Sequence, residues 1–135
     1  MRIILDSNIL FSAALFKNSE IGLMVNYIAD NHTLILSNTI IEEIRRVFLR
    51  KLPDKIDFLE NYLSKLTYEY QHVPASELIN SPYQISDEKD LHVLVSAALS
   101  GADILITGDK HFFERKYESP KIFHPKDFIL RYMRG

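Results

Sequence analysis

Residues 2–8, RIILDSN, place a short apolar run directly before an aspartate. A run of this kind, ending at Asp6, is typical of a strand at the centre of a parallel sheet, because such strands are buried on both faces. Apolar residues then recur at helical spacing from Ile9 to Phe16, so a helix follows the strand almost at once. The chain therefore begins with a strand and a helix of the βαβ type.

The alternation of strands and helices continues along the chain and favours a parallel sheet that is covered on both faces. We expect further strands at residues 33–36, 71–73, 103–107 and 121–123, and helices at 20–29, 40–52, 55–67, 88–99 and from Pro125 onward. The fold class is α/β, a three-layer α/β/α sandwich with a mostly parallel sheet of about five strands. No linker or repeat divides the sequence, so we expect a single domain over residues 1–135.

Composition excludes several classes of protein. The chain has no cysteine, and its formal net charge is −2. It therefore has no disulfide framework and no thiolate metal site. A polyanionic substrate would need local basic patches or bound cations, because the chain as a whole is not basic. Charged residues interrupt the start of the chain, and no apolar run is long enough to span a membrane, so we expect a cytoplasmic protein.

Four acidic residues follow predicted strands or lie in the first turns of predicted helices: Asp6, Glu43, Asp90 and Asp109. In a parallel α/β sheet these positions meet in the crevice outside the carboxyl ends of the strands. Helical geometry puts Glu43 at the edge of the apolar face of its helix. Glu42 points the other way and has capping-box spacing with Thr39, which accounts for it. Asp90 shares the buried side of its helix.

Each of these acids also has an ordinary structural explanation. Asp6 could cap the following helix. Asp90 could interact favourably with the dipole at the start of its helix, and Asp109 could be an ordinary turn residue. Gathered together, however, four carboxylates would repel one another and raise one another's pKa, and divalent cations relieve that repulsion. Oxygen ligands alone favour Mg²⁺ or Mn²⁺ over zinc.

The histidines show no spacing typical of a zinc site. His92 is expected on the outward face of its helix. His111 lies two residues after Asp109, and we interpret it as a solvated surface residue. Among the five histidines, only His111 is expected near the proposed site.

Basic residues follow two of the acids: Arg45 and Arg46 after Glu43, and Lys110 and Arg115 after Asp109. They would hold the phosphates of an RNA substrate, in which case binding would weaken steeply with salt. The alternative, with equal weight, is that these residues form an ordinary solvent-exposed surface and bind no RNA.

The acidic segments resemble those of PIN-domain nucleases, and among these the VapC-like toxin ribonucleases. The resemblance covers nearly the whole chain and rests on segments at residues 4–8, 36–44, 87–98 and 102–109, with a similar ending at 125–128. It implies a three-layer α/β/α fold and Mg²⁺- or Mn²⁺-dependent cleavage of RNA. In toxin members it also implies a small antitoxin that blocks the site.

On this basis we assign metal ligation, direct or through water, to Asp6, Asp90 and Asp109. Glu43 would be a further ligand or would orient the attacking water. Supporting polar groups would hold these carboxylates in place: Asn8, Ser37, Asp87 and Thr107. The apolar helices at 20–29 and 55–67 leave surface for a homodimer or for an antitoxin.

Two other functions stay open. A haloacid-dehalogenase-like phosphatase also has an aspartate after its first strand, but it needs further acids where this chain has Asn8 and Phe113. A non-enzymatic module that binds RNA or protein would use the acids only to hold structural Mg²⁺. Metal-dependent cleavage of RNA would distinguish a nuclease from such a module.

Overall fold

A computed structural model of the chain describes residues 1–81 and 90–134. Its strands are β1 (Arg2–Leu5), β2 (Thr33–Ser37), β3 (Glu69–Gln71), β4 (Ile104–Ile106) and β5 (Lys121–Phe123). Its helices are α1 (Ser7–Leu15), α2 (Glu20–Asn31), α3 (Asn38–Lys51), α4 (Ile56–Lys65), α5 (Ala75–Ile79), α6 (Leu91–Ser100) and α7 (Pro125–Phe128). Short 3-10 turns cover Pro53–Lys55 and Lys110–Phe113, and a π turn at Ile129–Met133 follows α7.

The five strands form one parallel sheet in the order β3-β2-β1-β4-β5. In β1 the consecutive residues Ile3, Ile4 and Leu5 are all fully buried. Successive residues of a strand point to opposite faces of the sheet, so this burial means that both faces are covered. The expected α/β fold with a five-stranded parallel sheet is confirmed.

The chain changes direction across the sheet at β1. It leaves β1 toward β2 and β3, and it returns to β4 on the other side of β1. A crevice opens at such a switch point, outside the carboxyl ends of the strands. The backbone N–H of Asp6 donates to the carbonyl of Ile106 at 3.0 Å and ties the ends of β1 and β4 together there.

Several boundaries differ from those predicted. The third strand begins at Glu69, two residues before its predicted start, and Val73 donates its N–H to Asn38 Oδ1 at 2.6 Å. Helix α5 is too short for an apolar period to reveal it. The predicted start of the helix at 88–99 lies outside the described residues, and α6 ends at Gly101, whose φ of 65° suits glycine.

Helix α3 begins two residues earlier than the sequence suggested. The Oγ of Ser37 accepts a hydrogen bond from the N–H of Ile40 at 3.2 Å, so Ser37 is the N-cap and the Thr39–Glu42 capping box is not used. Within the part of the chain that the structure describes, no helix is long and apolar enough to cross a membrane.

Candidate active site

Asp6 lies at the end of the central strand and is only 2% exposed. Its side chain does not cap α1; it accepts a hydrogen bond from Thr107 Oγ1 at 2.8 Å. Burial is the largest cause of a raised pKa for this carboxyl, and the charges of Glu43 and Asp109 raise it further, while the Thr107 bond lowers it. The ordinary capping explanation for Asp6 is therefore wrong.

Thr107 connects Asp6 to Asp109. Its fully buried hydroxyl, which donates to Asp6, also accepts the backbone N–H of Asp109 at 3.0 Å. The Oδ1 of Asp109 in turn accepts the backbone N–H of His111 at 2.9 Å and caps the 3-10 turn that follows β4. One threonine thus fixes two of the predicted acids relative to each other.

Ser7 connects Asp6 to Glu43. Its hydroxyl donates to Glu43 Oε1 and lies 3.5 Å from Asp6 Oδ1. On the other side of Glu43, His92 Nε2 lies 2.7 Å from Oε2. Burial raises the pKa of Glu43, but the hydrogen bonds from His92 and Ser7, together with nearby positive charge, outweigh it and leave the pKa below its ordinary value.

The expected outward position of His92 is wrong. Its side chain is 14% exposed, and its Nδ1 lies 2.9 Å from Thr39 Oγ1 on α3. Ser96, one turn further along α6, is fully buried and donates to the carbonyl of His92 at 2.7 Å. The spacing of His92 and Ser96, four residues apart on one helix face, was the signal in the sequence for a polar contact between the two helices.

Asp90, Asp109 and His111 bring three potential ligand atoms within 4.8 Å of one another. His111 Nδ1 lies 3.1 Å from Asp109 Oδ1 and 3.9 Å from Asp90 Oδ2. His111 is half-buried against these acids, so its interpretation as a solvated surface residue is wrong. The atoms gathered here include an imidazole nitrogen as well as the predicted oxygens.

The four predicted acids therefore lie in one sequence of contacts. It runs from Glu43 through Ser7 to Asp6, through Thr107 to Asp109, and through His111 to Asp90. Within residues 1–81 and 90–134, no lysine or arginine forms a salt bridge with Asp6, Glu43 or Asp109.

The predicted supporting residues differ in how deeply they are buried. Ser37 is fully buried, and its Oγ lies 2.8 Å from Ser96 Oγ as well as capping α3. Asn8 is exposed at the start of α1, and Asp87 lies outside the described residues.

The predicted basic residues are exposed, but they are not equivalent. Arg45 binds Glu60 through two hydrogen bonds, of 2.6 and 3.0 Å. Arg46, Lys110 and Arg115 are exposed. Among these three residues, the charge of Arg46 contributes to the lowered pKa of Glu43.

The sequence also matches a known protein family, and this match agrees with the parallel α/β fold and its acidic crevice. The PIN domain family model matches residues 2–111. The chain therefore belongs to the PIN domain family, and the family resemblance seen in its sequence motifs is confirmed. No curated protein gave a significant match.

Solved structures with the same fold include two DNA-bound complexes. The VapBC2 structure from Rickettsia felis, bound to a promoter DNA fragment, matches with a TM-score of 0.68 and 20% identity over 92% of this chain and 98% of that one. VapBC from Salmonella typhimurium, bound to DNA, matches with a TM-score of 0.67 and 16% identity over 93% and 98%.

A third similar structure is VapC20 from Mycobacterium tuberculosis, a toxin that cleaves the sarcin-ricin loop. It has a TM-score of 0.60 and 12% identity over 82% of this chain and 92% of that one. At these identities the likeness concerns the fold.

Proposed function

We propose that this protein is a metal-dependent ribonuclease and the toxin of a toxin–antitoxin pair. The observation that carries the proposal is the continuous set of contacts that joins the four carboxylates at the switch point of the sheet. Buried like charges destabilise a fold, so their collection in a crevice indicates a functional site. Membership of the PIN domain family supports a nuclease over the phosphatase alternative.

The residues present fit a divalent cation. Ligand atoms that share one Mg²⁺ ion lie about 2.8 to 4.2 Å from one another. The separations of 3.1 and 3.9 Å between His111 Nδ1 and the two carboxylates fall in this range. Asp90 and Asp109 would hold Mg²⁺ or Mn²⁺, with Asp6 binding directly or through water. When bound, such an ion polarises the scissile phosphate and makes water a better nucleophile.

The protein itself would prepare Glu43 to orient that water. Its lowered pKa keeps Glu43 ionised at neutral pH, so its oxygens accept hydrogen bonds. Ser7 and His92 each occupy one oxygen of the carboxylate and restrict its rotation. We propose that Glu43 accepts a hydrogen bond from the attacking water and holds it in line with the phosphate.

The exposed cations beside the acids would hold the RNA. Arg46, Lys110 and Arg115 would contact phosphates, and Arg45 would do so only by giving up its ion pair with Glu60. Cleavage under subsaturating RNA should then weaken steeply as salt rises. A nearly flat response would contradict this part of the proposal.

The partner would be a small antitoxin, and we also propose a homodimer. Large apolar side chains stand exposed near α1 and α2: Phe16 is 63% exposed and Leu23 is 52% exposed. Apolar surface of this kind suits a protein interface. The two VapBC matches favour an antitoxin. We expect the upstream reading frame to encode a short protein that copurifies with this one and blocks RNA cleavage.

The direct test of the proposed function is incubation of the purified protein with mixed single-stranded RNAs. Parallel reactions contain Mg²⁺, Mn²⁺ or EDTA, and products are resolved on denaturing gels. Cleavage in either metal and none in EDTA is expected. Binding of RNA without cleavage would favour the binding module instead, and the absence of both binding and cleavage would overturn the proposal.

A further inference from the structure

We propose that His111 is a nitrogen ligand of the cation site and that it makes the site prefer Mn²⁺ to Mg²⁺. The inference rests on the proposed function and deepens it. It concerns a side chain that the motif of acidic residues does not include.

The position of the ring nitrogen carries the inference. Nδ1 of His111 is buried, and it lies 3.1 Å from Asp109 Oδ1 and 3.9 Å from Asp90 Oδ2. Despite this proximity, Nδ1 has no hydrogen-bond partner with suitable geometry among the described residues. A proton on Nδ1 would therefore be buried without an aligned acceptor, which is unfavourable. A lone pair directed at a cation, with the proton on Nε2, satisfies the nitrogen instead.

The local structure holds the ring in this position. The backbone N–H of His111 donates to Asp109 Oδ1 at 2.9 Å, so one oxygen fixes both the turn and the residue that carries the imidazole. The next residue, Phe112, is fully buried in the core. Asp109 and His111 are therefore presented together on a turn that the core anchors, and a pre-positioned ligand pair binds a metal with a smaller loss of conformational entropy.

The chemistry of one imidazole decides the metal preference. Mg²⁺ is a hard ion that keeps oxygen ligands and exchanges them for nitrogen reluctantly. First-row transition ions accept imidazole readily, and their affinity for mixed nitrogen and oxygen sites exceeds that of Mg²⁺. Two carboxylates and one imidazole therefore favour Mn²⁺, whereas the acids without His111 would discriminate less.

Pulsed electron paramagnetic resonance of bound Mn²⁺ tests the ligation directly. Wild-type protein loaded with Mn²⁺ should show nitrogen modulation from a directly coordinated ring, and protein made with ¹⁵N-labelled histidine should show the pattern of ¹⁵N. His111→Asn should lose the modulation, while His32→Gln, at the opposite end of the sheet, should keep it. Wild-type protein that binds Mn²⁺ without histidine coupling would overturn the proposal, even if the variants failed to fold.

Binding measurements test the preference. We expect His111→Asn to weaken Mn²⁺ binding by about tenfold or more and Mg²⁺ binding much less, by calorimetry. Equal losses for both ions would overturn the selective role. Modulation that persists in His111→Asn would place another histidine on the metal and would also overturn it.

The two proposals fail separately. RNA cleavage by a protein whose Mn²⁺ shows no nitrogen coupling removes His111 from the ligand set and leaves the ribonuclease function standing. Nitrogen coupling in a protein that cleaves no RNA keeps His111 in the ligand set and overturns the ribonuclease function.

Discussion

Charged residues are arranged differently at the two ends of the strands of the central sheet. We call the side where the strands begin the amino edge and the side where they end the carboxyl edge. At the amino edge, Arg2 forms an exposed ion pair with Glu69, and its backbone N–H donates to Asp103 Oδ2 at 2.8 Å. At the carboxyl edge, Asp6 is buried beside Glu43 and Asp109, whose charges raise its pKa. An arginine pairs with a carboxylate at the amino edge, whereas at the carboxyl edge the buried Asp6 has, among the described residues, only other carboxylates as charged neighbours that shift its pKa.

We infer from this difference that the amino edge contributes to stability and that the carboxyl edge is the proposed functional site. Pairing at the amino edge lowers the energy of the folded state slightly and asks for no ligand. Crowded carboxylates at the carboxyl edge raise that energy, and a cation relieves the cost. The same sheet therefore provides an internal control for every substitution at the proposed site.

Asp6→Asn should produce the largest difference between the edges. Loss of the central carboxylate should reduce metal-dependent RNA cleavage by more than about 100-fold, since even residues that only support metal ligands cost 10- to 100-fold. Glu69→Gln at the amino edge should leave the cleavage rate unchanged. Rates measured on the same RNA under saturating Mn²⁺ make the comparison, and equal activity of wild type and Asp6→Asn would remove Asp6 from the site.

Thr107→Val should have the next largest effect. Valine keeps the shape of the buried side chain but removes the hydroxyl that joins Asp6 to Asp109, so we expect a loss of about 10- to 100-fold in cleavage or in metal affinity. Thr107→Ser keeps the hydroxyl and is the matched control. If serine and valine reduce cleavage equally, packing rather than hydrogen bonding is the role of this residue.

The apo protein should gain stability from Asp6→Asn at neutral pH. The raised pKa of Asp6 means that its protonated form stabilises the fold at low pH, and that this contribution is lost as the pH rises through the raised value. Asparagine does not ionise. In EDTA, the melting temperature of the variant minus that of wild type should therefore stay constant below about pH 4 and increase toward neutral pH.

Thermal unfolding followed by circular dichroism over this pH range measures that difference, because the other titrating groups are common to both proteins. Saturating Mn²⁺ should reverse its sign by stabilising only the wild type strongly. A difference that narrows toward neutral pH in EDTA would show that Asp6 is not under electrostatic strain.

Glu69→Gln should have the smallest effect on stability. The pair with Arg2 is exposed, so solvent screens it, and we expect at most a slight fall in melting temperature that disappears at high salt. A large, salt-independent loss would mean that the amino edge matters more to the fold than an exposed ion pair does.

Much of this architecture was predictable because each signal was local. Continuous apolar runs identified the strands. Asp6 directly follows β1 and Asp109 comes three residues after the end of β4, and these positions placed both acids at one edge. The helical period put Glu43 toward the same region, and its contacts with Ser7 and His92 agree with that direction.

Contacts between distant elements were not predictable in the same way. His92 and His111 acquire their surroundings from α3 and from Asp90. The spacing of His92 and Ser96 indicates a shared helix face, but it does not identify the residues that this face contacts. The role of Ser7 was also hidden, because a serine after a strand is equally typical of a helix cap. Burial and partners, rather than residue type, decide the role of such polar side chains.

The hydrogen bond from the N–H of Asp6 to Ile106 continues the β1–β4 ladder by one step beyond the last paired residues. The alignment of two apolar strands therefore also sets the position of Asp6 relative to Thr107 and Asp109 in the proposed site. A slip of one residue would exchange the side chains of β1 between the two covered faces of the sheet and would carry Asp6 away from Thr107 in the same event.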